Sequence, residues 1–145
     1  MTRSLIDTFD VSAAEIRSIT EEALKGADDG ELFMESSEGE SLVFDNGRLK
    51  TANFNAAKGF GLRAVAGEAT GYAHSGEMSR SALRRAADAV SAVKAGHSGG
   101  MAGAPQRTNR HLYGETNPIT NPGFESKAAL LQEIDAWMRA RDPRV

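Results

Sequence analysis

The sequence predicts an α+β fold: an antiparallel meander sheet of about five short strands (31–75), packed with flanking helices at about 12–25, 80–93 and 126–141. Three observations support this class. Apolar residues recur at helical spacing in the three helical stretches, and they alternate with polar residues along parts of 31–75. An Asn-Gly pair at 46–47 lies between two of the strands and is typical of a tight hairpin turn.

The first helix has a signal at each end. Ser12 followed by Glu15 is a capping box, in which the two side chains satisfy free backbone N–H groups of the first turn. Gly26 favours the end of the helix because glycine adopts the left-handed conformation at little cost. The apolar residues that we expect on its buried face are Ile16, Ile19, Ala23 and Leu24.

Five short stretches predict the strands of the meander. The first begins at Leu32, and the other four cover 41–45, 49–54, 59–66 and 70–75. Within the fourth, Phe60, Leu62 and Ala64 alternate along one face, which we expect to be buried.

Two further helices follow the sheet. Ser79 predicts the N-cap of the second helix. Its predicted apolar face consists of Leu83, Ala86, Ala87 and Val90. The third helix carries a stripe that we expect to be buried, made of Leu130, Ile134, Trp137 and Met138.

The chain is predicted to form one domain in three parts. These are an α+β core at 1–93, a Gly/Pro-rich mobile linker at 94–110, and a crossing segment with the closing helix at 111–145. Asp142-Pro143 ends that helix, and the two residues after it would suit the start of a strand. We therefore interpret the chain as a fragment of a longer protein.

Composition excludes several classes of protein. The 145 residues include no cysteine, which excludes disulfides, thiolate zinc sites and cysteine nucleophiles. No apolar run approaches the ~18 residues of a membrane span, and the N-terminal residues lack the apolar stretch of a signal peptide. We expect a cytoplasmic domain with one modest core and no membrane partner.

Charge is distributed unevenly along the chain. Residues 1–45 carry 12 acidic and 3 basic residues, whereas 46–110 carry 3 acidic and 10 basic ones, and 111–145 are close to neutral. A basic middle segment can bind nucleic acid or pair with acids of the same fold. Its bases are scattered and few aromatic residues lie between them, so we expect them to pair within the fold or to be solvated, and we do not expect nucleic acid as a partner.

The candidate chemical groups do not form a site in the sequence. His74, with Ser75 and Glu77 nearby, could belong to a Ser/His/Glu set, but a polar residue at a strand end is the favoured interpretation. His97 lies in the predicted linker. His111 and the other two histidines do not have the spacing of a metal-binding helix motif.

Glycines and acidic pairs also lack the context of a site. Gly59 and Gly61 have a dinucleotide-like spacing, but strands flank them, so we expect them to allow another element close to the backbone. Acidic pairs such as Asp28-Asp29 are expected to be solvated. We therefore assign no catalytic, cofactor-binding or metal-binding residue to this chain.

Several stretches nevertheless resemble one protein family. They are ELFMESSEGESLVFDNGRLK, GFGLRAVAGEATGYAHSGEMSRSALRRAADAV and KAALLQEIDAWMRARDPRV. These stretches are similar to the N-terminal domain of the TldD/PmbA zinc metallopeptidases, and they resemble TldD more closely than its PmbA (TldE) relative. The resemblance covers about residues 10–145. The strand pair within GFGLRAVAGEATGYAHS is its most specific part.

The resemblance implies a bacterial cytosolic peptidase that acts on unfolded peptides or small proteins, including a microcin precursor and an antitoxin, together with a PmbA/TldE-like subunit. Zinc is implied for the full-length protein, held by an HExxxH helix and a further ligand in a C-terminal catalytic domain. No position of this sequence matches that motif, so we expect this chain to lack zinc and to be inactive alone. Its own C-terminal domain is then a partner as well.

Three functions follow as hypotheses. The leading one is a non-catalytic N-terminal domain that contributes to peptide access and subunit assembly. The alternative, which the basic segment 46–110 motivates, is a non-catalytic interaction domain that binds DNA gyrase, DNA or a regulatory protein. An older name of the family that the chain resembles is modulator of DNA gyrase. A third, weaker hypothesis is a small hydrolase that uses His74.

Overall fold

The computed structural model describes residues 5–100 and 116–145, and it confirms the predicted α+β class. Three helices and a three-stranded sheet form the regular structure of these residues. In chain order they are α1 (Ala13–Leu24), β1 (Asp29–Asp45), β2 (Arg48–Ala66), β3 (Ala69–Ser75), α2 (Arg80–Ser91) and α3 (Phe124–Arg141), with short 3₁₀ turns at Leu5–Thr8 and Ala92–Lys94.

The predicted number of strands was wrong. The first two predicted strands are one strand, β1, and the next two are one strand, β2, so the meander has the order β1-β2-β3 among the described residues. The β2–β3 pair is antiparallel, with Phe60 opposite Ser75 and Ala66 opposite Ala69. Long strands persist because the backbone N–H and C=O groups pair with the neighbouring strand even where the side chains do not alternate between apolar and polar.

The predicted hairpin turn between β1 and β2 is confirmed. Asn46 has a φ of 52° and Gly47 a φ of 73°. Both central residues therefore adopt the left-handed conformation that lets a two-residue turn follow the right-handed twist of its strands.

The chain divides into two units. The first comprises Met1–Ser36 and Ala57–Arg110, and the second comprises Ser37–Ala56 and His111–Val145. We describe each unit by itself. The predicted boundaries at 93 and 110 stay predictions, and residues 101–115, with most of the predicted linker and His111, lie outside the described residues.

The first unit contains the hydrophobic core. The predicted faces of α1 and α2 are confirmed, since all eight of their expected apolar residues are buried. Leu62 and Leu83 are among the largest fully buried side chains. The helices start as predicted, because Ser12 Oγ accepts from Glu15 N–H and Ser79 Oγ accepts from Ala82 N–H, each at 3.2 Å.

The second unit consists of the distal half of the β1–β2 hairpin and of α3. The prediction that α3 buries a stripe was wrong. That α3 stripe (Leu130, Ile134, Trp137 and Met138) is exposed, with relative exposures of 55, 43, 58 and 38%. No residue of α3 is buried. Helical periodicity identifies an apolar face, but it cannot say whether another part of the same chain covers that face.

Among residues 5–100 and 116–145, no helix combines the length and the apolar character that a bilayer crossing requires.

Candidate interaction surfaces

The sheet of the first unit has one covered and one open face. Leu32, Met34 and Ala73 point to the helix side, where they pack against the core. Because side chains alternate along a strand, Phe33 and Tyr72 point to the other face, where they are 57 and 63% exposed. The open face is therefore a surface on which another molecule could dock.

An ion-pair cluster lies at the β1–β2 part of this face. The Arg63 guanidinium donates to Asp29 Oδ2 at 2.7 Å and to Glu31 Oε1 at 3.1 Å. Hydrogen bonding from Arg63 and from the Gly30 backbone holds the pKa of Asp29 below its usual value. The cluster joins two strands, and it leaves the positive charge of Arg63 largely neutralised.

Gly61 has the role that its position suggested. An added Cβ there would lie 2.5 Å from the Tyr72 hydroxyl oxygen and 2.9 Å from a ring carbon. The Tyr72 ring therefore extends over the backbone of the central strand, and its other neighbour is His74, whose ring stacks with it at a centroid distance of 5.8 Å. A phosphate-binding loop is absent from this segment, since Gly59 and Gly61 lie within β2.

The Ser/His/Glu set is not assembled. Ser75 Oγ accepts from the Glu77 backbone N–H at 3.0 Å, and the Glu77 carboxylate accepts from the Ser79 hydroxyl at 2.7 Å. A second Glu77 oxygen accepts from Arg85 at 3.2 Å. The hydroxyl and the carboxylate that such a set needs serve the start of α2 instead, while His74 stacks on Tyr72.

Asp28 and His97 form a contact that the sequence did not indicate. Asp28 Oδ2 accepts from the Gly67 backbone N–H at 2.7 Å and lies 2.8 Å from His97 Nε2. The Gly99 N–H also donates to the Gly26 carbonyl at 3.0 Å. These bonds join the segment after α2 to the α1–β1 and β2–β3 turns, so Asp28 has a structural role rather than the purely solvated one we expected.

We expect Asp28→Asn to lower the melting temperature at pH 7. The melting temperature of this variant should also fall less on acidification than that of the parent chain. The Gly67 N–H and then His97 hold the pKa of Asp28 below its usual value of 3.8, so its ionised form stabilises the folded state. That stability is present above the unfolded-state pKa and is lost as pH falls through the lower folded-state pKa. Circular dichroism melts between pH 7 and pH 2 measure both effects.

The matched control for this prediction is Asp88→Asn, which removes a carboxylate from the exposed face of α2. If both variants melt alike at every pH, the Asp28 bonds do not contribute to stability.

The basic segment is partly neutralised within the units. Several of its cations pair with carboxylates, as Lys50–Asp45 at 2.9 Å, Arg63–Asp29 at 2.7 Å, Arg80–Glu15 at 2.6 Å and Arg85–Glu77 at 3.2 Å. The first three acids belong to the acidic residues 1–45, so the predicted intramolecular pairing is confirmed for these cations. Such exposed pairs contribute little to stability, but they lower the positive potential available to nucleic acid.

The second unit has an open groove of about 400 Å³ between the hairpin end and one side of α3. Phe44, Leu49, Phe124 and Ala128 supply its apolar lining, with Arg48 and Glu125 among the charged groups. On the same helix, Lys127 pairs with Glu40, which joins α3 to β1. The α3 stripe does not line this groove.

Comparisons with known proteins bear on what these surfaces belong to. The family whose model matches residues 30–94 is described as PmbA/TldA metallopeptidase domain 1. Over 148 residues the chain is 29% identical to the Metalloprotease TldD homolog of Haemophilus influenzae, and over 147 residues 29% identical to that of Buchnera aphidicola subsp. Acyrthosiphon pisum. Residues 30–94 thus match the first domain of the PmbA/TldD metallopeptidases, and the similarity to the TldD homologs extends over nearly the whole chain. A further relative, the TldD homolog of Buchnera aphidicola subsp. Schizaphis graminum, is 26% identical over 147 residues.

The chain spans only part of the length of its relatives. The matches cover 99–100% of the chain but 28–30% of the length of the three relatives. The family match confirms the resemblance to an N-terminal domain of this family. The activity, substrates and partners of a whole TldD-type protein come to this chain as proposals.

The described residues do not fit the zinc that the PmbA/TldD resemblance implies. Among residues 5–100 and 116–145, no three His, Cys, Asp or Glu side chains lie close enough to hold a metal ion. Asp28 and His97 are a pair, whereas catalytic zinc takes three protein ligands and structural zinc four. We therefore derive no chemical step through zinc in this chain.

Proposed function

We propose that this chain is the non-catalytic N-terminal domain of a TldD-type zinc metallopeptidase that acts on unfolded peptides, and that it contributes to peptide access and subunit assembly. The family match and the names of the relatives support this assignment. A domain without a hydrolytic group can still bind a peptide backbone or a second subunit.

The edge of β3 is the observation that carries the proposal of peptide access. In the described part of the chain β3 is an outer strand, and its backbone pairs with no element other than β2. Its sequence, ATGYAHS, contains no Asp, Glu, Lys, Arg or Pro. Proteins usually protect outer strands with charges or proline, so an unprotected edge favours pairing with an added strand.

The opposite outer strand differs in charge. Within the first unit β1 carries Asp29, Glu31 and Glu35, and acidic side chains of this kind discourage pairing with another chain. The difference in charge between the two outer strands favours β3 as the edge that binds a peptide. An extended peptide bound there would use backbone hydrogen bonds, which suits substrates that differ in sequence.

We expect an uncharged unfolded peptide to shift the backbone amide NMR signals of residues 69–75 and to be recovered uncleaved. Thr70→Lys should weaken this binding about fivefold or more, because a lysine on an edge strand opposes further pairing. The peptide is uncharged, so that a loss of binding reports on the edge and not on long-range attraction.

Glu35→Lys places a lysine on the other outer strand as a control and should leave the affinity for the uncharged peptide unchanged. Shifts confined to β1, an equal loss in both variants, or no shift at millimolar peptide would reject the β3 edge. Cleavage that a chelator inhibits would reject the non-catalytic role.

A further inference from the structure

The second unit has no buried core of its own in the part of the chain that the structure describes. Every buried apolar residue, from Phe9 to Val90, belongs to the first unit. A two-stranded hairpin and one helix are marginally stable when they bury no common apolar layer. The second unit therefore has the properties of a module that another surface completes.

Two neighbouring rows of α3 differ in their surroundings. Lys127, Leu131 and Asp135 are spaced by four residues and are half-buried, with Lys127 paired to Glu40. Leu130, Ile134 and Trp137 lie on the adjoining row and are exposed. One side of the helix thus contacts the hairpin, and the α3 stripe stays open.

The composition of the α3 stripe indicates the chemistry of its partner. Leucine, isoleucine, tryptophan and methionine within two turns form an apolar surface, and tryptophan is typical of the centre of protein interfaces. Arg141 continues the row one turn beyond Trp137, and its guanidinium carbon lies 3.6 Å from the centre of the indole ring. A matching surface would be apolar, with a carboxylate near Arg141.

The comparisons indicate where such a surface occurs. The relatives align with 99–100% of the chain, so the α3 segment is shared with proteins more than three times as long. The match to the first family domain ends at residue 94, before α3 begins. The α3 segment is therefore shared with the full-size relatives beyond that first domain.

We propose that the α3 stripe docks onto an apolar surface of the polypeptide that TldD-type proteins carry outside the stretch aligned with this chain, with Arg141 facing a carboxylate there. This inference rests on the proposed function for the identity of the partner, but it does not depend on peptide binding at β3.

Hydrogen exchange measured by mass spectrometry tests the proposal. The chain is compared with a chimaera in which it replaces the aligned stretch of the Haemophilus influenzae relative. We expect the amides of 128–141 to exchange at least about tenfold more slowly in the chimaera, because docking suppresses local opening of the helix. Leu130→Asp combined with Ile134→Asp should abolish the difference.

The control is Ala136→Asp, which places one aspartate at an exposed position of α3 outside the stripe and should keep the protection. If the chimaera does not fold, the chain is mixed with the separately expressed remainder of the relative, and the same amides are measured. Absence of slower exchange in the folded chimaera, or in that mixture, overturns the proposal.

Two other results also overturn it. Slow exchange of 128–141 in the dilute chain alone would mean that this chain covers its own stripe. Protection that rises with the concentration of the chain alone would identify a second copy as the partner. Hydrogen exchange in 128–141 does not depend on whether a peptide binds at the β3 edge. A failed peptide titration would therefore reject the proposal for β3 without affecting the proposal for α3.

Discussion

Leu83→Ala should lower the free energy of unfolding by about 3 kcal/mol, within the usual range for a buried leucine. Leu83 is 0% exposed and lies on the face of α2 that contacts the core. Truncation removes its apolar contacts and leaves a cavity that α1 and the sheet cannot fill without moving their own buried side chains. Urea denaturation followed by far-ultraviolet circular dichroism measures the change.

Leu130→Ala provides the matched control, since it makes the same truncation at a site that is 55% exposed. We expect a change within about 0.5 kcal/mol in the isolated chain. Equal losses in the two variants would contradict the assignment of the core to the first unit alone.

Gly30→Ala should destabilise the fold by about 2 kcal/mol through crowding. A Cβ at this position would collide with a methyl group of Leu24 and would lie 2.7 Å from the Arg63 carbonyl oxygen. Leu24 is 5% exposed, and the carbonyl belongs to the central strand, so neither can withdraw easily. The shift of the urea midpoint at constant slope gives the effect.

Gly76→Ala is the corresponding control. Its added Cβ would lie 3.6 Å from the nearest atom, the Lys58 carbonyl oxygen, which is an ordinary contact. We expect this variant to unfold within about 0.5 kcal/mol of the parent chain. A Gly30→Ala variant as stable as Gly76→Ala would show that β1 and Leu24 adjust freely.

The helices of the first unit were predictable because their signals are local. Capping side chains act within one turn, and an apolar stripe such as that of α2 is buried when a sheet of the same chain faces it. Leu83 and Val90 were thus identified correctly from spacing alone. The same reasoning failed for Ile134 and Trp137, where no neighbouring element of the described chain covers the stripe.

The strands were harder because alternation depends on burial. Both faces of β1 are exposed over residues 35–38, and both faces of β2 over 50–58, so side chains there carry no two-residue pattern. The pattern therefore broke each long strand into two short ones. The turn at Asn46-Gly47 was predictable, since its requirement for positive φ is met by local residue types.

The Asp28–His97 contact could not be predicted. The two residues are separated by 69 positions, and His97 follows a stretch whose composition resembles a linker. Only the folded arrangement of the turns at Gly26 and Gly67 brings them together. The open β3 edge was predictable only in part. The sequence shows that the strand carries no charged residue, but only the structure shows that it is an outer strand of the sheet.

Trp137 has a consequence for optical work on this protein. It is the one tryptophan of the chain, and it lies on α3 in the second unit, while the buried core of the first unit contains no indole. Its fluorescence emission therefore reports on the second unit alone. The Arg141 guanidinium that stacks on the indole ring is part of the environment that this emission senses. A fluorescence titration and a secondary-structure signal from the same sample would thus follow different parts of one molecule.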